Sequence, residues 1–295
     1  MIGSEIEAAA EVIPGRETRD VVRRERLRLL LRSPTFLVGA GIVVFWILCA
    51  LIGPIVVPHD PFLPNALNRL KPPSASHWFG TDELGRDVFS RDIVGARGIL
   101  VVAPLATLIG TILGTTIGLS AGYFLGFVDE GLMRIVDAFL AIPVVIIGLF
   151  ALVALGPSYA TVILVIGIVF TPLIARTVRA AVLQERQLEY VQAGKLRKEN
   201  ALYMMFSEIL PNVIGVILVE FTTRLGYAIF ITATLSFLGF GIQPPAPDWG
   251  LAIFEHYAYL SGGYWWPVVF PALSIASLVV GVNLASDGLK QVLER

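Results

Sequence analysis

Charge is what this sequence has least of. Only 15% of its 295 residues are Asp, Glu, Lys or Arg, whereas 56% are hydrophobic. A soluble domain needs about 25% charged residues to cover its surface, so the shortage excludes an ordinary soluble protein. The mean hydropathy of +0.76 points to a chain that crosses a membrane several times. Cysteine is almost missing. The single Cys49 excludes an intrachain disulfide or a Cys-based metal site and reads as a small buried apolar residue. No G-x-x-x-x-G-K-[ST] loop occurs, so the chain cannot cradle ATP in that way. A net charge of -1 leaves no basic footprint for nucleic acid.

What is present is apolar sequence in runs. A bilayer core takes about 20 apolar residues per helix, and six segments fit: Phe36–Val57, Leu100–Phe124, Leu132–Leu155, Tyr159–Ala180, Val213–Leu238 and Trp266–Leu284. The expected fold is therefore an all-α polytopic membrane protein with six transmembrane helices. Gly110, Gly114 and Gly118 recur at four-residue steps, as in helices that approach closely.

The basic residues fix an expected orientation. Met1–Pro34 holds seven arginines, the connection between the fourth and fifth spans holds six Lys or Arg, and the tail ends with Lys290 and Arg295. These regions share one side, which the positive-inside rule makes the cytoplasm. Residues 1–35 form a cytoplasmic arm, with Glu17–Arg32 either an amphipathic surface helix or a solvated arm. Residues 36–57 are the first span, 58–98 an external cap, and 99–295 the remaining bundle. Gly239–Trp265 has no Lys or Arg but carries Trp249, Tyr257, Tyr259, Tyr264 and Trp265, an expected interfacial aromatic belt.

Three polar features stand out. The cytoplasmic segment 183–212 is too polar for lipid and rich in helix formers. It is expected to end at Pro211 before the fifth span, as a docking surface or a plain connector. Glu220 and Arg224 stand one helical turn apart deep in the fifth span, as a pair lining an aqueous route or as a satisfied structural pair. In the cap, Asp82, Glu83 and Asp87 cluster, but their spacing fits no Ca²⁺ loop and no metal is expected. Thr81 or Asp82 is expected to cap a helix, with Gly80 and Gly85 permitting tight turns.

Four stretches, in order, carry a resemblance: "HWFGTDELGRDVFSRDIVGAR" (His77–Arg97), "YVQAGKLRKENALYMMFSEILPN" (Tyr190–Asn212), "LSFLGFGIQPPAPDWG" (Leu235–Gly250) and "WWPVVFPALSIASLVVGVNLASDGL" (Trp265–Leu289). The sequence resembles the C-type permease subunit of peptide-class ABC importers, which move dipeptides, oligopeptides, nickel complexes or related solutes. The resemblance implies a type I importer permease fold in the cell (inner) membrane. The implied partners are a homologous B-type permease, two ATPase subunits or one fused ATPase, and an extracytoplasmic solute-binding protein. ATP and Mg belong to the ATPases, and no cofactor to this chain.

The resemblance also assigns roles. Tyr190, Gln192, Ala193, Gly194, Lys195, Leu196, Arg197, Lys198, Leu210 and Pro211 fall in the ATPase-coupling loop. Tyr190, Leu196 and Leu202 are expected as its apolar contacts, and Lys195, Arg197 and Lys198 as partners of an acidic patch. Glu220 and Arg224 fall on the pathway. Gly80, Thr81, Asp82, Gly85, Arg86 and Asp87 form the cap, which meets the binding protein, helps close the outer gate or is purely structural. The family pattern reads Glu-Ala-Ala, three residues, then Gly; this chain has Gln192-Ala193-Gly194 and then Lys198. The expected consequence is a turn shifted toward Lys198–Asn200 or a continued helix. An ion-coupled carrier and a non-transporting scaffold are the rival classes.

Overall fold

The computed structural model describes residues 28–293. The apolar runs become helices, and the starts of three of the long ones are set by a capping side chain: Ser33, Asp87 and Ser158. The first, α1 (Pro34–Val56), begins where Ser33 Oγ accepts from Phe36 N at 3.3 Å and Pro34 needs no donor. The arm before Arg28, including most of the expected surface helix, lies outside the described residues.

The second span is longer than expected. Helix α2 runs Val88–Phe124 because Asp87 caps it, accepting from Ser90 N at 2.8 Å. The external cap therefore ends at Asp87 rather than Gly98. The third span is not one helix. Gly126–Leu140 (α3) and Val144–Leu155 (α4) meet at 84°. Pro143 lies at the break, where it disfavours helix in the residue before it. Asp129, Glu130, Arg134 and Asp137 on α3 are all ion-paired, and Asp129 and Asp137 reach Arg179 and Arg176 of the next helix. That helix, α5 (Tyr159–Glu185), is capped by Ser158.

A short helix, α6 (Glu189–Leu196), precedes a turn at Ala201–Tyr203 and a π-helical turn at Met204–Ile209. These run straight into α7 (Leu210–Phe237). Pro211 does not close the segment as expected. It occupies the first turn of α7, where the wide turn ahead already takes Leu210 N to Met205 O. A short helix α8 (Trp249–His256) and the long α9 (Trp266–Leu293) complete the described residues. Among the described residues, five helices are long and apolar enough to span a bilayer, or six spans if the bent α3–α4 pair counts as one.

The core sits between α2 and α5. An added Cβ at Gly110 would lie 2.9 Å from Gly167 O, at Gly114 2.7 Å from Ile174 Cβ, and at Gly118 2.7 Å from Ala175 O. The glycine stripe is thus a backbone-to-backbone seam, as expected. Ile166, Ile174, Ile229 and Leu278 are fully buried around it. Leu51, Ile55 and Phe150 face outward, with Ile55 84% exposed, as suits a hydrocarbon surrounding.

Residues 58–87 and 239–265 form one layer at the end of the bundle, the layer expected to be external. Thr81 and Asp87 form an antiparallel bridge. Trp266 Nε1 donates to Thr81 O at 3.0 Å and Trp249 Nε1 to Asp92 O at 2.7 Å. Trp249 is therefore buried core and not part of an interfacial belt, whereas Tyr257 and Trp265 are exposed.

Candidate coupling, pathway and cap sites

The segment between α5 and α7 has two faces. Val191, Gly194, Met204, Met205 and Ile209 point into the bundle. Gly194 is needed there, because a Cβ would meet Met204 Sδ at 2.6 Å. Tyr190 also turns inward. Its hydroxyl donates to Glu185 Oε1 at 2.8 Å and accepts from Asn212 Nδ2 at 3.0 Å. Burial first, then that carboxylate, pushes the phenol up to about 12. Tyr190 is a latch between α5 and α7, with its hydroxyl engaged inside the chain.

The other face is open. Gln192, Ala193, Arg197, Lys198, Leu202, Tyr203 and Phe206 are exposed, and Leu196 is 85% exposed. Leu210 is half-buried and Pro211 exposed at the start of α7. The basic trio is divided. Lys195 Nζ lies 5.8 Å from the Tyr123 ring centre, back against α2, while Arg197 pairs with Glu199 at 3.5 Å and Lys198 is free to face outward.

The turn forms where the glycine is missing. Lys198 itself takes φ +57. Glu199 N donates to Gly194 O at 3.1 Å and Lys198 N to Lys195 O at 3.0 Å, the two bonds of a Schellman stop. Asn200 is not the left-handed residue. It is extended and caps the next turn, accepting from Leu202 N at 2.9 Å. The turn thus falls in the expected window, with Lys198 in the glycine's conformation.

In α7, Arg224 Nε and Nη2 lie 2.7 and 2.6 Å from Glu220 Oε1. Both side chains are mostly shielded, and the guanidinium stacks toward Tyr227 at 5.7 Å. The charges satisfy each other, which makes them tolerable inside a bundle.

The cap is a charge network. Thr81 and Asp82 cap no helix. Asp82 Oδ1 accepts from Leu84 N and Arg86 N at 2.9 Å, and Oδ2 from Arg86 Nε at 2.6 Å, so Asp82 closes the tight Asp82–Arg86 turn, and Asp87 is the helix cap. Gly80 and Gly85 both have φ +74, and a Cβ on Gly85 would run into the Asn65 carbonyl. The three clustered acids do not converge. Asp82 takes Arg86, Glu83 takes His256 and Asp87 takes His77.

Partners from α8 are absent from the sequence expectations. His256 Nε2 lies 2.6 Å from Glu83 Oε2, and Glu255 Oε2 3.7 Å from Arg86 Nη2. Burial opposes charge on His256, but Glu83, the Ala252 carbonyl and Asp82 outweigh it, and the pKa is raised above 6.5. Asp248 caps α8 through Leu251 N at 2.8 Å, and burial raises its pKa to about 6. An Asp before an apolar helical pattern is a readable start signal; the pairing of Glu83 with His256 has no local signature.

The profile described as "Binding-protein-dependent transport system inner membrane component" matches residues 114–295, and that of the N-terminal TM domain of oligopeptide transport permease C matches residues 23–73. The chain belongs to the binding-protein-dependent inner membrane components. Among curated members, the dipeptide transport system permease protein DppC of Bacillus subtilis is 36% identical over 94% of this chain and 85% of its own. The probable D,D-dipeptide transport system permease protein DdpC of Escherichia coli is 35% identical over 98% and 96%. The glutathione transport system permease protein GsiD of Salmonella paratyphi A is 39% identical over 92% and 89%. A chain of the MetNI methionine ABC transporter, solved facing inward, shares the fold with a TM-score of 0.55 at 19% identity, covering 70% of this chain and 97% of that one. Membership of that permease family makes the chain a translocation subunit.

Proposed function

We propose that this chain is the permease subunit of an ATP-driven importer of dipeptides or oligopeptides, paired with a homologous permease and driven by two ATPase subunits at the 189–206 face. The supporting observation is the division of that segment. One face is locked to the bundle through Gly194–Met204 and Tyr190, and the other leaves Leu196 and Leu202 uncovered. An apolar patch with a polar rim is what a partner groove receives. Its positive charge supports a cytoplasmic position for the face, with both termini on that side. The chain itself performs no bond chemistry and holds no nucleotide. An external solute-binding protein delivers the solute to the 58–87 and 239–265 layer. Glu220 and Arg224 line the route and meet a charged end of the solute.

Co-expression with the partner genes tests this. The expected result is a co-purifying complex whose ATPase is stimulated by the loaded binding protein. A chain that purifies alone and transports nothing with those partners would overturn the reading. A glutathione-like solute is the second reading, favoured by the GsiD relative; ligand screening of the binding protein separates the two.

A further inference from the structure

Two of the chain's three histidines meet at the Asp87 end of the charge network just described, apart from His256. His59 follows α1, His77 sits in the external cap, and both rings face Asp87, the cap of α2. His77 Nδ1 lies 2.8 Å from Asp87 Oδ1, and His59 Nδ1 lies 3.8 Å from the same oxygen. The rings are 4.6 Å apart and tilted by 33°. One ligand atom from each residue falls within 4.8 Å of the others.

We infer that His59, His77 and Asp87 form a binding site for a divalent transition-metal ion of the Zn²⁺, Co²⁺ or Ni²⁺ class. The donor set decides the class. Two imidazoles and one carboxylate suit these ions, whereas Ca²⁺ and Mg²⁺ require mostly oxygen. Bonds of about 2.0–2.1 Å in a tetrahedron place ligand atoms about 3.3 Å apart. The two separations from Asp87 Oδ1 bracket that value and all three ligand atoms lie within 4.8 Å of one another, so closing the site calls for side-chain adjustment.

The surroundings fit the role. Asp87 Oδ2 is held by Ser90 N at 2.8 Å and Ser90 Oγ at 2.7 Å, which leaves Oδ1 facing the rings. Ser90 Oγ also accepts from His59 N at 3.4 Å. The Asn68 amide lies 3.5 Å from the other nitrogen of His77. Such outer partners orient metal ligands. Asp87 is 1% exposed, His77 11% and His59 41%, so the site opens to the external side through His59, and water completes the fourth position. The partial positive charge of the α2 N-terminus opposes a cation, but the full charge of Asp87 stands between them.

The other candidate, Glu83, Glu255 and His256, is weaker. There Arg86 Nη2, 3.7 Å from Glu255 Oε2, already supplies positive charge. An ion at His59, His77 and Asp87 ties the exit of α1 to the start of α2, and it revises the expectation that this chain holds no metal.

The test uses the full-length protein in detergent, stripped with chelator and titrated with Co²⁺, then Zn²⁺. The expected result is one equivalent of Co²⁺, with visible absorption of a four-coordinate ion that Zn²⁺ displaces. His59→Ala, at a half-exposed position, keeps the unliganded melting temperature. It weakens binding by more than the about 10- to 100-fold that loss of an outer partner costs. His59→Asp, which keeps a ligand oxygen, recovers part of the affinity, and His256→Ala leaves it unchanged. No stoichiometric binding by the wild type, or equal binding by His59→Ala, overturns the site.

Discussion

At the scale of single residues, Lys198 shows how a departure from a family pattern is absorbed. The Schellman stop demands a left-handed residue, and Lys198 supplies it at a cost of about 1–2 kcal/mol. Glycine there removes that strain but adds unfolded-chain entropy of about 0.5–1 kcal/mol. Lys198→Gly should therefore raise stability by no more than about 1 kcal/mol, read by thermal unfolding in detergent, and Lys198→Val should lower it. The position was legible in sequence because the missing glycine falls at a fixed spacing.

His256 makes a pH-dependent contribution. Its raised pKa means that its pairing stabilises the fold fully below the ordinary histidine range. That contribution is lost as pH rises through the folded value, above 6.5. Glu83, Glu255, Asp82, Arg86 and Arg91 face this region from the cap, from α8 and from the start of α2. Melting temperature measured from pH 6 upward should fall more for the wild type than for Glu83→Gln; identical slopes would remove His256 from this role.

At the scale of elements, the glycine stripe of α2 was readable because one face of a helix repeats every four residues. Its partner, α5, was not named by any sequence signal. Gly118→Leu should cost about 1–3 kcal/mol or abolish folding, since the new side chain meets the Ala175 carbonyl. Gly131→Ala on α3, where nothing lies within 4 Å of the new Cβ, should gain up to about 1 kcal/mol. Equal melting temperatures for the two variants would contradict the seam.

The broken third span escaped sequence reading for a physical reason. Averaged hydropathy is blind to Pro143, and the ion pairs that hold α3 to α5 join residues far apart in the chain, such as Asp129 and Arg179. Likewise Trp249 looks like a membrane-interface residue from composition alone. Only its bond to the Asp92 carbonyl and its edge contact with Trp46 at 4.7 Å place it in the core.

At the scale of the whole molecule, the bundle divides labour between its ends. The layer of residues 58–87 and 239–265 is locked by aromatic side chains and buried charge, with a metal site proposed at its edge. The opposite end, proposed as cytoplasmic, presents Leu196, Leu202, Tyr203 and Phe206 uncovered. Leu196→Asp should leave the isolated subunit folded, because the side chain touches little of its own chain, yet weaken complex formation and ATP-driven uptake at least about tenfold, as losing one central apolar contact of more than 1.4 kcal/mol does.

Site-specific cross-linking of the assembled complex reaches the central claim most directly. The lone Cys49 is first replaced by serine, and single cysteines are placed at Leu196, Leu202 and the fully buried Val191. Leu196→Cys and Leu202→Cys are expected to cross-link to an ATPase subunit, with a yield that changes when ATP binds, and Val191→Cys is expected to stay unlinked. Cross-links at Val191 alone, or none at Leu196 and Leu202 in a complex that still transports, would contradict the assignment of this face to energy coupling.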